Sequence, residues 1–497
     1  MIQTLPTDVL REIFRRCLPP YKYQESIHFE VDKPPYTLAK VCRHWRLVCL
    51  STALLWVDLP MFTDETPHIS EFSGHWKTKL ALSSPCDLRF FVNHYSGLPE
   101  AGFANAFGRI HPALTFPRVR MLDLCADVTI LKAISQHVDL FKRLQILKIN
   151  LIDHYFTHLP QLDFQSKVTS LTLQSRNKRV EFSRSLLKCV ETLFPSLTKF
   201  DGDNLPASSL PEILAVAPLL TELTIRNIQA ASASDPVSSP LIHTRLKILH
   251  LICKSPKLGN PGVPLPIDLS RICLSELEDL VVQYRLPTLS STFLSFLQHT
   301  QGSLRNLYIG GVLESSYDQK AMYDLCPLLE TLTMTHANDE SLKHLALTGN
   351  SPMCPGLRHL TLPFFRLNSE LEVGLQTFWL SQLTSYRFWR PNDPIESVPL
   401  ESLTVVLTKA SNFLHFQSLQ DLSQNLSYFV SSRSIPYSRR LRSCILSCLT
   451  PRSLLLRNGP SWHDSNKLSS RTFIRYVFSM YVVSHLQITT TDIIIRT

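Results

Sequence analysis

The chain has 497 residues, 44% apolar and 18% charged, which fits a folded protein longer than one hydrophobic core usually spans. Glycine is scarce, 14 residues against about 35 at roughly 7% usage, and neither G-x-G-x-x-G nor G-x-x-x-x-G-K-[ST] occurs, which argues against a nucleotide-binding enzyme. Ten Lys/Arg and two Asp/Glu lie from Ser432 onward, so nearly all of the net +9 sits there and the main body shows no basic face for nucleic acid.

The twelve cysteines form no C-x-x-C pair and no zinc-like quartet. Cys189, Cys253 and Cys326 occupy apolar-type positions, where a free thiol behaves as a small hydrophobe. The start has no basic n-region or long apolar h-region, and no run of 18 apolar residues appears, so the expectation is a reduced, soluble, intracellular protein with no membrane contact.

The first stretch, Leu5-Pro6-Thr7-Asp8-Val9-Leu10-Arg11-Glu12-Ile13-Phe14, has proline, threonine and aspartate where a helix starts. Leu10, Ile13, Phe14 and Cys17 then follow at helical spacing, and Pro19-Pro20 ends the element. A second stripe runs through Leu38, Val41, Cys42, Trp45, Val48 and Cys49, and Leu54-Leu55-Trp56 closes the segment. So few helices make a small core, and such a unit usually leaves an apolar patch for a partner. Periodicity alone equally allows an N-terminal cap on the rest of the chain.

L-P-x-D-V-L-x-E-I-F, then V-C-R-x-W-R-x-V-C and L-x-x-x-L-L-W, resembles an F-box in the form common in fungal F-box proteins; Leu50-Ser51-Thr52-Ala53-Leu54-Leu55-Trp56 is similar to the phrase that ends those motifs, with Ala53 in a proline position. The resemblance covers about a tenth of the chain and implies docking on a Skp-type adaptor, which joins F-box proteins to a cullin-RING ubiquitin ligase. By position it implies a first contact ridge of Leu5, Pro6, Leu10, Ile13 and Phe14. Val41, Cys42, Trp45, Val48 and Trp56 would supply the second contact surface and internal packing. The connection from Leu18 to Thr37 is longer than in a compact F-box, so the middle helix is not fixed by the motif.

Residues 57 to 116 carry less signal; Trp76 to Leu82 reads as a helix and Leu88 to Val92 as a strand. A phrase L-x-x-L-x-L then begins at Val119, Leu144, Val168, Leu197, Leu220, Leu246, Leu277, Leu304, Leu329, Leu357 and Leu383, 23 to 31 residues apart. That period with that spacing is the signature of a leucine-rich-repeat solenoid, each unit too small to close a core and stacked on its neighbours. Proline two residues before the first apolar position in five units (Pro117, Pro195, Pro218, Pro327 and Pro355) stops a helix and presets an extended chain. Helices are expected over Val128 to Phe141, Ser183 to Phe194 and Asn338 to Leu347. The Asn or Cys of the strict repeat is missing three residues past the last strand leucine, at Asp127, Ile152, Arg176, Leu205 and Ile228, so the turns must satisfy their backbone otherwise.

Alternation turns Lys148, Asn150, Thr172, Gln174, Lys199, Asp201, Asp203, Glu222, Thr224 and Arg226 outward, and later Tyr308, Thr331, Thr333, Thr335, His359, Arg387 and Trp389. Most would be a solvated sheet face. Tyr308, Arg387 and Trp389, with Trp379 nearby, are the candidate target-binding residues, because Tyr, Trp and Arg dominate binding energy. The scattered histidines form no catalytic set. His154-x-x-x-His158 lacks the glutamate of H-E-x-x-H, and His463-Asp464 has no nucleophile placed beside it.

The expected architecture is therefore an α/β solenoid: F-box-like helices over 1–60, a junction or irregular first repeats over 61–116, the repeat arc over 117–410 and an extension over 411–497. The extension, basic from 432, is either a partner-contacting tail or sequence never selected to fold. The expected function is a non-enzymatic, cytoplasmic or nuclear subunit without cofactor or metal that recruits a protein target to a Skp-cullin-F-box type ligase. The alternatives are a non-ligase repeat scaffold and, more weakly, a solenoid-supported enzyme.

Overall fold

A computed structural model describes residues 5–18, 34–62, 77–93, 118–152, 159–164, 167–175, 180–228, 240–252, 269–283, 291–300, 302–310, 316–335, 344–345, 354–365, 402–407 and 476–479. The chain divides into two compact units, Met1–Lys254 and Ser255–Thr497.

The first unit opens with three helices, α1 (Thr7–Cys17), α2 (Tyr36–Val41) and α3 (Arg43–Ser51), and a 3-10 turn at Ala53–Trp56. Residues 77–82 form a further helical turn. Arg118 holds its end and the turn after it: the guanidinium donates to Leu80 O at 3.4 Å, Ser83 O at 2.8 Å and Cys86 O at 2.6 Å. Seven parallel strands then pair in chain order: β1 (Asp58–Phe62), β2 (Leu88–Asn93), β3 (Val119–Ala126), β4 (Ile146–Leu151), β5 (Ser170–Ser175), β6 (Lys199–Asp203) and β7 (Glu222–Arg226). The two-residue β8 (Leu241–Ile242) comes next, and β9 (Ile248–Ile252) continues the main sheet beside β7. The helices between strands are α4 (Val128–Ser135), α5 (Val180–Cys189) and α6 (Ser209–Val216).

The second unit holds the short β10 (Ile272–Cys273) and the parallel run β11 (Asp279–Gln283), β12 (Asn306–Ile309), β13 (Thr331–Met334), β14 (His359–Phe365) and β15 (Ser402–Leu407), with α7 (Ser291–His299) and α8 (Ser316–Leu325) between strands. The last strand, β16 (Tyr476–Ser479), pairs antiparallel with β15. The protein is thus an α/β chain built on a large parallel sheet.

Apolar spacing explains this sheet residue by residue. Val119, Leu144, Val168, Leu197, Leu220, Leu246, Leu277, Leu304, Leu329 and Leu357 are each at most 3% exposed. The apolar residues three and five positions later are buried as well, and they stand opposite each other: Leu122 faces Leu147, then Leu171, Phe200, Leu223 and Leu249. Leu280, Leu307, Leu332 and Leu360 make the same row in the second unit. Burying such a side chain is worth about 1.5–3 kcal/mol, so one unit gains little alone and the stacked rows gain much.

The strand starts are fixed by the backbone. Leu144, Leu197, Leu220, Leu277, Leu329 and Leu357 each donate to the carbonyl three residues earlier, at 3.0–3.3 Å. The next residue reaches across to its counterpart in the preceding strand: Thr169 N to Gln145 O, Thr198 N to Thr169 O, Thr221 N to Thr198 O. The Thr198 and Thr221 hydroxyls bond the same carbonyls, a side-chain ladder that apolar spacing does not announce. The strand ends answer the missing asparagine in two ways. Ile152, Asn204, Asn227, Gly310 and Thr335 donate N–H groups to a neighbouring strand's end. Asn204 and Asn227 also adopt the left-handed conformation, φ 57° and 52°, where asparagine is tolerated best after glycine. Asn204 Nδ2 then donates to Ser175 O at 2.6 Å, and Asn227 Nδ2 to Asp203. Asp127, at one of the expected asparagine positions, caps α4 through Ile130 N at 2.9 Å.

Several expected elements shift. Val128 to Phe141 is helical to Ser135, then a 3-10 turn at Val138–Leu140; the helix expected over Ser183 to Phe194 is Val180–Cys189 plus a 3-10 turn at Glu191–Ser196. Most of Asn338 to Leu347 lies outside the described residues, as do Leu383 and nearly all of the tail from Ser432. The strand beside β14 is Ser402–Leu407. Leu400, Leu403 and Val405 carry the same apolar spacing that marks the earlier strands.

Candidate functional site

Two surfaces stand out, one on the first helices and one on the half-exposed face of the strands. In the helical segment, Leu10, Phe14, Val48, Cys49, Leu55 and Trp56 form a core against which Leu5, Leu18, Tyr36, Leu38, Ala39, Trp45 and Leu82 pack. Phe14 meets Trp45 edge-on at 4.9 Å between ring centroids, and Tyr36 meets Trp56 at 5.1 Å. Trp56 Nε1 donates to Cys49 O at 2.9 Å, and the Cys42 thiol caps α3 by accepting from Trp45 N at 3.4 Å.

The residues of the expected adaptor contact therefore separate. Leu10, Phe14, Val48 and Trp56 are almost wholly buried and have no surface to offer, so their role is packing. Leu5, Cys42 and Trp45 are half-buried. Pro6, Ile13 and Val41 are exposed, Ile13 at 37% and Val41 at 58%. An amphipathic stripe tells which residues share a face, not what covers it; here α3 and the 3-10 turn cover it. The exposed apolar residues that the expected contact set leaves out are Val9, Leu47, Leu50 and Leu54. The offset of Val9 and Ile13 by four residues, beside the buried Leu10 and Phe14, is the sequence signal that a second apolar strip exists on α1.

On β4 to β9 burial alternates, and the half-exposed row in the first unit reads Lys148, Thr172, Asp201, Thr224 and His250 in register, with the buried Asp123 of β3 at its start. Its charges are largely paired within the face. Arg226 Nη2 lies 2.8 Å from Asp201 Oδ2, and Lys199 pairs with Glu222. Lys148 Nζ is 4.0 Å from Asp123 Oδ2, while Asp123 Oδ1 receives no hydrogen bond. Burial pushes the Asp123 carboxyl up to about 6 against the weaker pull of Lys148. Burial likewise raises Asp201 despite Arg226.

In the second unit the corresponding row is Val281, Tyr308, Thr333 and Thr361, beside Asp279, Asn306, Thr331, His359 and Ser402. Tyr308 is half-exposed, and burial raises its hydroxyl above the ordinary phenol value. Thr335, expected outward, is 4% exposed because it lies just past β13, where its hydroxyl bonds Ile309 O at 3.4 Å. Arg387 and Trp389, with Trp379, lie outside the described residues.

Buried thiols are unreactive in kind: burial pushes Cys49 up to about 11 and Cys189 up to about 12. Among the described residues no three His, Cys, Asp or Glu side chains come together as a metal site requires. Among them, too, no helix is long and apolar enough to cross a membrane. No protein-family model matches the chain, and no curated protein matches it.

Proposed function

We propose that this chain is the target-recruiting subunit of a Skp-cullin-F-box type ubiquitin ligase. Its first helices, as an F-box, dock a Skp-type adaptor and through it a cullin. Its sheet, as an irregular leucine-rich-repeat solenoid, holds a protein target. The chemistry then belongs to other subunits: holding a target beside the ubiquitin donor raises effective concentration, and no residue of this chain need be catalytic. Such a subunit works in the cytoplasm or nucleus.

One observation carries the reading. Of the ten large apolar side chains exposed among the described residues, six (Val9, Ile13, Val41, Leu47, Leu50 and Leu54) fall within the short helical segment. That segment already has a closed core of its own, so the exposed residues are surplus to folding. Surplus apolar surface concentrated in one place marks a protein contact. The competing reading, a repeat scaffold with a helical cap, draws on the direct run from Trp56 into β1, where Trp56 and Leu59 are both buried.

The test is capture of the full chain by a purified Skp-type adaptor, compared with Ile13→Asp/Val41→Asp. Both positions are exposed, so the variant should keep its fold and circular dichroism while losing at least tenfold in affinity. A folded wild-type chain that the adaptor does not capture would end the ligase reading and leave the scaffold.

A further inference from the structure

The outward faces of the two units differ in charge. On β4 to β7 the outward side chains include Lys148, Lys199, Asp201, Asp203, Glu222 and Arg226. In the second unit, β11 to β14 hold one acid, Asp279 at the start of β11, and no lysine or arginine. The neighbouring charges stand just ahead of the strands, at Glu278, Arg305, Glu330 and Arg358, alternating in sign from one strand to the next, and Arg305 pairs with Glu330. Between them and the strand ends runs a row of Val281, Tyr308, Thr333 and Thr361, in register across four parallel strands, with all four side chains half-exposed. A charged segment laid on this row would give up hydration and find no counter-charge within it. An uncharged one loses nothing of that kind.

Spacing narrows the occupant further. Adjacent strands lie about 4.8 Å apart, so every second side chain of the row recurs at about 9.6 Å. A polyproline II helix rises about 3.1 Å per residue and turns in about three residues, so one of its faces recurs at about 9.3 Å. A β-strand laid across the row repeats at about 6.7 Å and falls out of step. The chemistry agrees with the spacing. A polyproline II backbone leaves its carbonyls without internal partners, and prolines within it have no N–H to offer. The row supplies hydroxyl donors at Tyr308, Thr333 and Thr361, a phenol ring on which a proline ring can pack, and the methyl groups of Val281 and the threonines. We infer that this row binds an uncharged polyproline II segment of a protein target, laid across β11 to β14. The inference rests on the reading of the sheet as the target-holding surface and names the kind of segment held there. Tyr308 is its aromatic anchor, and the absence of charge along the row is what rejects Lys-, Arg-, Asp- or Glu-rich segments.

The experiment follows fluorescence anisotropy of a labelled synthetic peptide of Pro, Ala and Leu on the full chain, beside versions with glycine in place of proline or with lysines or glutamates added. The neutral proline peptide should bind at least tenfold more tightly than the other versions, and its affinity should change less than twofold as salt is raised. Tyr308→Ala and Thr333→Lys, both at half-exposed positions, should each weaken it at least tenfold with circular dichroism unchanged, while Thr333→Ser should keep it. No binding of the neutral proline peptide, equal binding of a charged version, or binding that neither change weakens in a folded chain would overturn the inference. A neutral oligosaccharide such as cellohexaose that binds in the peptide's place and is lost with the same two changes would overturn it as well, since the row would then be a sugar site. Peptide binding that obeys these rules upholds the inference whether or not a Skp-type adaptor captures the chain, so failure of the ligase reading is told apart from failure of this one.

Discussion

Asp123 lies in β3 between Phe91 of β2 and Lys148 of β4, and only the distant ammonium of Lys148 opposes the cost of burying its charge. Its carboxyl is raised from 3.8 to about 6, so the folded chain holds this proton more tightly than the unfolded chain does. The stabilising share of this group is therefore complete below about pH 4 and lost as pH rises through 6. A difference of about two pKa values corresponds to about 3 kcal/mol at neutral pH. Asp123→Asn should accordingly stabilise the protein by about 1–3 kcal/mol at pH 7.5, with the gain fading toward pH 4. Urea titrations of both proteins across that range check it; a gain that does not depend on pH would mean the carboxyl is already neutral. Gly202 shows the opposite kind of constraint. Its counterparts in the row are Leu173 and Ile225, but a Cβ here would lie 2.4 Å from Leu205 Cδ1 and 2.9 Å from Phe200 Cε1, because Leu205 fills that space from its own turn.

At the scale of the element, α1 carries two apolar strips with opposite fates. Leu10→Ala and Phe14→Ala open cavities in a fully buried cluster and should each cost about 3–5 kcal/mol. Val9→Ser and Ile13→Ser, both exposed, should stay within about 0.5 kcal/mol. Thermal unfolding followed by tryptophan fluorescence, with Trp45 and Trp56 in the same cluster, separates the two sets. If Ile13→Ser destabilised as much as Phe14→Ala, the outer strip would belong to the fold and not to a contact. The same helix shows what a sequence can and cannot announce. Periodicity puts Leu10, Ile13 and Phe14 on one stripe, but a 3.6-residue period cannot say which edge of that stripe a neighbouring helix covers. On the strands the apolar spacing is far more telling, since Leu144, Leu147 and Ile149 must all point inward for a parallel ladder to stack. Where an aromatic residue takes the phrase's first position, as Trp56 does ahead of β1, the phrase is broken and the first strand gives no signal. Thr335 and the positive-φ Asn204 and Asn227 depend on where a strand stops, which apolar spacing does not encode.

Across the whole molecule, each described strand of the parallel runs pairs only with the strand before and after it, so strain introduced at one place has few routes to another. Leu332 illustrates this: it is fully buried and faces Leu307 of β12 and Leu360 of β14. Leu332→Ala should remove about 2–5 kcal/mol of local support. In an array held by neighbour contacts, that loss lowers the free energy of opening nearby strands without touching distant ones. Native-state hydrogen exchange should therefore quicken at least 30-fold in β12, β13 and β14, while amides of β4, β5 and β6, in the other compact unit, keep wild-type protection. An equal rise along both units would mean that they unfold as one cooperative body. In the recruiting role proposed above, local response has a use: a face whose stability is set strand by strand can change its outward residues for a new target while the apolar rows behind it stay fixed.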